Sequence, residues 1–318
     1  MDAIRTVGLA KSYGGKRVVE DLGLNVARGD VYGFVGRNGA GKSTVMKMLA
    51  GLVVPTEGEI EILGERQAPG HTSRRLGALI ENPGIYLGLS GLDNVMVRAL
   101  ALGVPKARTA SMEVLEAVGL AQVAKRRAKT YSLGMKQRLG LALALAGSPD
   151  LLLLDEPFNG LDPQSVREVR TMVLRLARER GITVFISSHV LDQLERMVTR
   201  YGVIRQGKLV CEMSAEEVES ACADYLSIRV TQPALALATL QDAFPQATFS
   251  LMPDDAIRAK GAATAERVGA VLAQVGIAVT ELFVHERDIE ELFVGLMGAD
   301  VSVEASRIRV SMGGGARA

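Results

Sequence analysis

Up to about residue 30, apolar and polar positions alternate and turns recur: "IRTVGLAKSYGGKRVVEDLGLNVARGD". Gly14-Gly15 and Arg28-Gly29-Asp30 read as breaks between short strands. The alternation then yields to a continuous apolar run, "VYGFVG", which predicts a buried strand entering a glycine-rich loop. Behind the loop the period becomes helical, with Val45, Met46, Leu49 and Leu52 on one face. Gly51 weakens the end of that helix and Pro55 bars its continuation. Residues from about 90 to 147 are mostly helical in pattern, opening with a capping box at Ser90 and Asp93. From 151 the order is strand ("LLLLDEP"), helix ("PQSVREVRTMVLRLARERG") and strand ("ITVFISSH"), which argues for a mainly parallel sheet flanked by helices. "VIRQGKLV" predicts a hairpin turning at Gln206-Gly207, and Ser214 with Glu217 starts a short helix.

A second unit begins near 224, with strand "YLSIRV", helix "PALALATLQDAF", strands "TFSLM" and "AIRAKG", helix "TAERVGAVLAQVG" and strand "AVTELFVH". That β-α-β-β-α-β order is the ferredoxin-like arrangement, and the helix "DIEELFVGLMG" closes it. The expected division is 1–221 for the first domain, with a helical subdomain at about 82–147, then 222–299, then a mobile tail from 300 to 318.

The 318 residues are 48% hydrophobic and 23% charged, the balance of a globular protein with a sizeable core. A formal net charge of +1 favours neither nucleic acid nor an anionic membrane, and Lys125, Arg126, Arg127 and Lys129 read as a solvated basic run. Two cysteines, Cys211 and Cys222, form no metal spacing and no disulfide framework, so a reducing cytoplasm is the default. No apolar signal stretch opens the chain, and the longest apolar runs fall well short of the ~20 residues that cross a bilayer.

Gly36-x-x-x-x-Gly41-Lys42-Ser43 has the full P-loop pattern, with a strand before it and a helix after it. Its glycines let backbone N–H groups turn toward an anion where a side chain would block the approach. The helix start adds favourable potential, Lys42 brings an ammonium to the terminal phosphates, and Ser43 offers a hydroxyl to Mg²⁺. "LLLLDEP" sets Asp155 and Glu156 at the carboxyl end of a buried strand. Asp155 suits a water-mediated Mg²⁺ contact, and Glu156 suits orienting or deprotonating an attacking water. In "YSLGMKQRLGLALALAG", Ser132 is placed as the N-cap of a long helix that ends at Gly147-Ser148-Pro149. Such a helix start binds anions, and with a P-loop already in the chain its best use is on another subunit's nucleotide.

In these ordered motifs, residues 1 to about 220 resemble the ATP-binding subunit of ABC transporters. "GRNGAGKST" is similar to the Walker A loop, so that Gly36, Asn38, Gly39, Gly41, Lys42, Ser43 and Thr44 are its phosphate-binding positions; "LLLLDEP" is similar to Walker B. "YSLGMKQR" resembles the signature, more often LSGGQ: Ser132 and Gly134 match, while Leu133 and Met135 depart. The resemblance implies that Asp162 in "NGLDP" faces a partner subunit, that His189 contacts the γ-phosphate, and that Tyr13 stacks on adenine. Where such subunits usually carry a Mg²⁺-sensing glutamine, "ALIENPGIY" has Glu81, which resembles the lantibiotic and bacitracin resistance subgroup of exporters.

The implied fold is an α/β P-loop ATPase core with an antiparallel β subdomain, an α-helical signature subdomain, and a small α+β ferredoxin-like C-terminal domain. The implied function is ATP hydrolysis with Mg²⁺ by two subunits, a homodimer by default, that power export through a separate integral membrane permease at the cytoplasmic face of the membrane. The C-terminal unit, without recognisable chemistry of its own, suits dimerisation or regulation. Two rival readings remain. A soluble ABC-type ATPase of ribosomes or DNA lacks the paired cassettes, coiled coils or basic balance expected of it, so no nucleic acid is expected. A P-loop kinase lacks a role for the signature helix.

Overall fold

A computed structural model of the chain describes residues 2–222, 225–261, 263–285 and 289–298. The tail expected to be mobile lies outside them. The chain divides into two compact units, one of Met1–Ala215 with, among the described residues, 296–298, and the other of Glu216–Gly295. The helix α6 (Ala215–Ala221) therefore counts with the second unit, ahead of the division expected at 221/222.

The first unit holds two sheets. β1 (Asp2–Tyr13), β2 (Lys16–Ala27), β4 (Glu57–Ile62) and β5 (Glu65–Arg66) make an antiparallel sheet in the order β2-β1-β4-β5. Its first two strands run twelve residues each, longer than the frequent turn residues suggested. Register shifts absorb the irregularities without ending the strands, for instance between Thr6 and Leu9, where Gly8 takes φ +59°. The buried Thr6 hydroxyl satisfies the backbone there, donating to Leu22 O at 3.0 Å and accepting from Leu24 N at 2.9 Å.

The second sheet contains β3 (Val31–Val35), β6 (Leu76–Leu79), β7 (Leu151–Asp155), β8 (Thr183–Ser188), β9 (Arg200–Arg205) and β10 (Lys208–Ser214), in the order β10-β9-β3-β8-β7-β6. All its pairings are parallel except the β9–β10 hairpin, which turns at Gln206-Gly207 as the sequence indicated. β3, β7 and β8 are buried at every position, which is why they read as unbroken apolar runs rather than alternating ones.

Between the two sheets lies α1 (Lys42–Leu49), whose Val45, Met46, Met48 and Leu49 enter the same core as Leu22, Ile62, Phe34 and Phe185. Leu52 does not belong to that face as expected. Gly51 turns left-handed at φ +70°, the helix stops, and Leu52 is left 67% exposed. The helical segment comprises α2 (Gly91–Ala101), α3 (Ala107–Ala117) and α4 (Leu133–Leu145); α5 (Pro163–Arg180) joins β7 to β8. Ser90 caps α2 by accepting from Asp93 N.

In the second unit, β11 (Tyr225–Val230), α7 (Pro233–Ala243), β12 (Thr248–Leu251), β13 (Ile257–Lys260), α8 (Ala265–Gln274) and β14 (Val279–His285) follow the expected order. The sheet is antiparallel, β12-β13-β11-β14, which is the ferredoxin-like topology, with Leu240, Phe249, Ile257 and Val268 in its own core. α9 (Ile289–Gly298) follows β14.

At the centre of the large sheet the Phe185 ring stacks on Tyr32 at 5.3 Å between centroids and tilts against Phe34 at 5.2 Å. Phe185→Ala leaves a cavity in this cluster, and we expect a loss of about 3–5 kcal/mol of stability in urea unfolding. Phe185→Leu should recover a substantial part of it.

Candidate active site

The phosphate loop joins β3 to α1. Arg37, Asn38 and Gly39 are exposed, and Gly36 and Gly41 are buried against the fold. The glycines serve two different needs. Gly41, at φ +110°, turns the backbone into the helix, a conformation that side-chain-bearing residues rarely adopt. At Gly36 the need is space below the loop, since an added Cβ would lie 2.5 Å from Ile204 O. α1 opens with no side-chain cap, so its first N–H groups point out of the helix toward the loop with their donor capacity available to an anion. Ser43 and Thr44 are half-buried in that first turn.

Lys42 is only 6% exposed. Its Nζ donates to Gly36 O at 2.7 Å and lies 3.2 Å from Glu156 Oε1. Glu156 follows β7 in a left-handed conformation, φ +47°, which turns its carboxylate back over the sheet edge. Its second oxygen, Oε2, lies 2.8 Å from His189 Nδ1. Glu156 thus sits between a lysine and a histidine, one on each oxygen. Were Lys42 to turn from Oε1 to phosphate oxygens, that oxygen would be free to accept a proton from water, with His189 on the other oxygen of the carboxylate.

A residue that motif reading did not single out organises the pair of acids. Ser187, fully buried at the end of β8, donates its hydroxyl to Asp155 Oδ1 at 2.6 Å and accepts from Glu156 N at 2.9 Å. Asp155 is itself buried at 4% exposure, so its orientation depends on that bond. The signal for Ser187 was its place two residues before His189, on the strand that pairs with β7.

Ser132 and Gly134 lie elsewhere. Ser132 caps α4, accepting from Met135 N at 3.2 Å, and shares no hydrogen bond with the phosphate loop. Gly134 packs under the start of α5, where a Cβ would lie 2.8 Å from Ser165 Oγ. Asp162 caps α5 by accepting from Gln164 N and Ser165 N at 3.0 Å each. The Ser165 hydroxyl, followed by these backbone donors, holds the Asp162 carboxyl below its ordinary range. Ser132, Gly134 and Asp162 therefore form one block, and Lys42, Asp155, Glu156, Ser187 and His189 form another.

Two further expected residues stand apart. Tyr13 ends β1 with 48% of its surface exposed and Lys11 Nζ 5.0 Å from its ring centre, leaving the ring accessible to a planar base. Glu81 is held by Lys47, Nζ to Oε1 at 2.5 Å, and is 57% exposed. Cys211 is inert, because burial pushes its thiol up to about 11.

The donor set fits a nucleotide triphosphate with a hard divalent ion. A glycine-bordered loop at an uncapped helix start and a buried lysine suit phosphate. One hydroxyl and one buried carboxylate suit Mg²⁺, which takes few protein ligands and completes its shell from phosphate and water. When bound there, Mg²⁺ supplies charge neutralisation on the phosphates.

Comparison with known proteins agrees with this chemistry. The ABC transporter family matches residues 19–159. The bacitracin transport ATP-binding protein of Bacillus licheniformis is 40% identical, over 93% of this chain and 97% of its own length. The lantibiotic transport ATP-binding protein of Streptococcus pyogenes is 42% identical, over 68% of this chain and 93% of its own. Among solved structures, a dimeric ATP-binding cassette bound to ADP and phosphate matches the fold with a TM-score of 0.60 at 24% identity, over 67% of this chain and 98% of that one.

Ser187→Ala removes the bonds that orient Asp155 and the Glu156 backbone. We expect kcat to fall about 10–100-fold, the usual scale for groups that orient a metal's partners. Nucleotide affinity, measured by equilibrium titration, should stay within about twofold, because the phosphate cradle does not use Ser187.

Proposed function

We propose a transport role for this chain from one premise: it belongs to the ATP-binding subunits of ABC transporters. It hydrolyses ATP with Mg²⁺, and two copies meet head to tail so that each lends its Ser132 helix tip to the nucleotide on the other's phosphate loop. One observation carries this reading. The catalytic block around Lys42 and Glu156 and the anion-binding tip of α4 share no hydrogen bond within the chain, so a second copy completes each site. Leu133 beside that tip is 55% exposed, as suits a surface that a second subunit covers. Intact motifs on this chain allow a homodimer.

Closure then does work on a membrane partner. No helix among the described residues is long and apolar enough to cross a membrane, so a separate permease supplies the pore. An open groove of about 450 Å³, lined by Leu52, Ile80, Pro83, Tyr86, Val97 and Leu143, offers it an apolar seat beside Glu81. In this reading the chain works at the cytoplasmic face of the membrane through that partner. Relatives named for bacitracin and lantibiotic transport favour export of a drug, peptide or lipid-like cargo. We assign no nucleic acid to it.

Glu156→Gln should bind ATP, hydrolyse little and elute as a dimer with ATP in size-exclusion chromatography with light scattering. Adding Ser132→Arg should return it to monomer while each copy still binds nucleotide. Hydrolysis by Ser132→Arg at the parent rate would refute the shared site. Specific activity of the parent should rise with concentration, because two copies are needed.

A further inference from the structure

Glu81 is a carboxylate at the end of β6, and the structure supplies a counterpart to it. β6 pairs in parallel with β7, Leu79 opposite Leu154. Glu81 follows Leu79 by two residues, as Glu156 follows Leu154. Both glutamates take left-handed backbone, φ +57° and φ +47°. Each is held by a lysine of α1: Lys42 lies 3.2 Å from Glu156, and Lys47 lies 2.5 Å from Glu81. Lys47 follows Ser43 by four positions, which puts it on the same helix face one turn along. Two neighbouring strand ends therefore present two acids to one helix, and the helix answers each with a cation.

The second pair has a purpose that stability does not explain. Glu81 is 57% and Lys47 30% exposed, and ion pairs this open contribute little to folding. A lone carboxylate at this edge would instead add a third negative charge, beside Asp155 and Glu156, where a triphosphate must bind. We propose that Lys47 and Glu81 act as one neutral unit at the strand end beside Glu156, Lys47 being the positioning residue that cancels the glutamate's charge there. The proposal rests on the nucleotide-binding reading and concerns residues outside the glycine loop.

The test compares Lys47→Met, Glu81→Gln and the double variant. Three readouts are needed: calorimetric affinity for a non-hydrolysable ATP analogue with Mg²⁺, steady-state kcat and KM, and melting of the nucleotide-free protein. Lys47→Met should weaken analogue binding about five- to tenfold, the scale of one partly screened charge. Adding Glu81→Gln should restore affinity and KM to within about twofold of the parent, and Lys47→Arg should behave as the parent. Melting temperatures should stay together. The proposal is overturned if Lys47→Met binds like the parent, or if the double variant remains as weak as Lys47→Met. A parent chain that fails to bind the analogue would overturn the nucleotide reading beneath it.

Discussion

The parallel pairing of β3, β8, β7 and β6 sets a single edge. Val35 lies opposite Ser188, Ser187 opposite Asp155, and Leu154 opposite Leu79. From that edge each strand releases one element of the site. The phosphate loop follows β3, His189 follows β8, Glu156 follows β7 and Glu81 follows β6. No group has to travel far, because the sheet's own hydrogen bonds fix the spacing. The buried leucines of β7 and the Phe185 cluster matter to chemistry for this reason: they keep the register from slipping. A slip of one residue would turn Asp155 from its bond with Ser187 to the opposite face of the sheet.

Much of this was legible in the sequence because the motifs are contiguous. A glycine loop between an apolar strand and an apolar helix, or two acids behind four leucines, states its own context. The ferredoxin-like order of the second unit was legible for a related reason: its strands and helices are short, and turns separate them clearly. What escaped depends on the sheet rather than on spacing. Ser187 matters only because β8 pairs with β7, and Lys47 only because the end of β6 comes to α1. Leu52 kept the helical period in sequence, but a left-handed Gly51 ends the helix before it. The breaks at Gly14-Gly15 and Arg28-Gly29-Asp30 were legible and do end the strands, while Gly8 is absorbed as a register shift inside β1.

The loop's glycines refine the simplest account of a phosphate cradle. That account gives each glycine the task of letting backbone approach an anion. Gly36 instead faces inward, where Ile204 leaves no room for a Cβ. The loop is thus held from below by β9 as well as shaped for what it binds above. Lys42 joins the same support, since its Nζ donates to Gly36 O. A cradle braced in this way loses little conformational freedom when it binds, which is the benefit of preorganisation.

Both lysines of α1 are engaged with glutamates at neighbouring strand ends. Nucleotide bears on the two contacts differently. Lys42 would have phosphate as an alternative to Glu156, and its leaving would free an oxygen of that carboxylate. The Lys47–Glu81 pair, in the reading proposed above, stays closed and keeps its charges cancelled beside the site. Ion-pair exchange of the first kind shifts an equilibrium only by the difference in affinity between the two arrangements. Because the Glu81 pair is largely exposed, the charge it cancels is partly screened, and its effect on binding is modest.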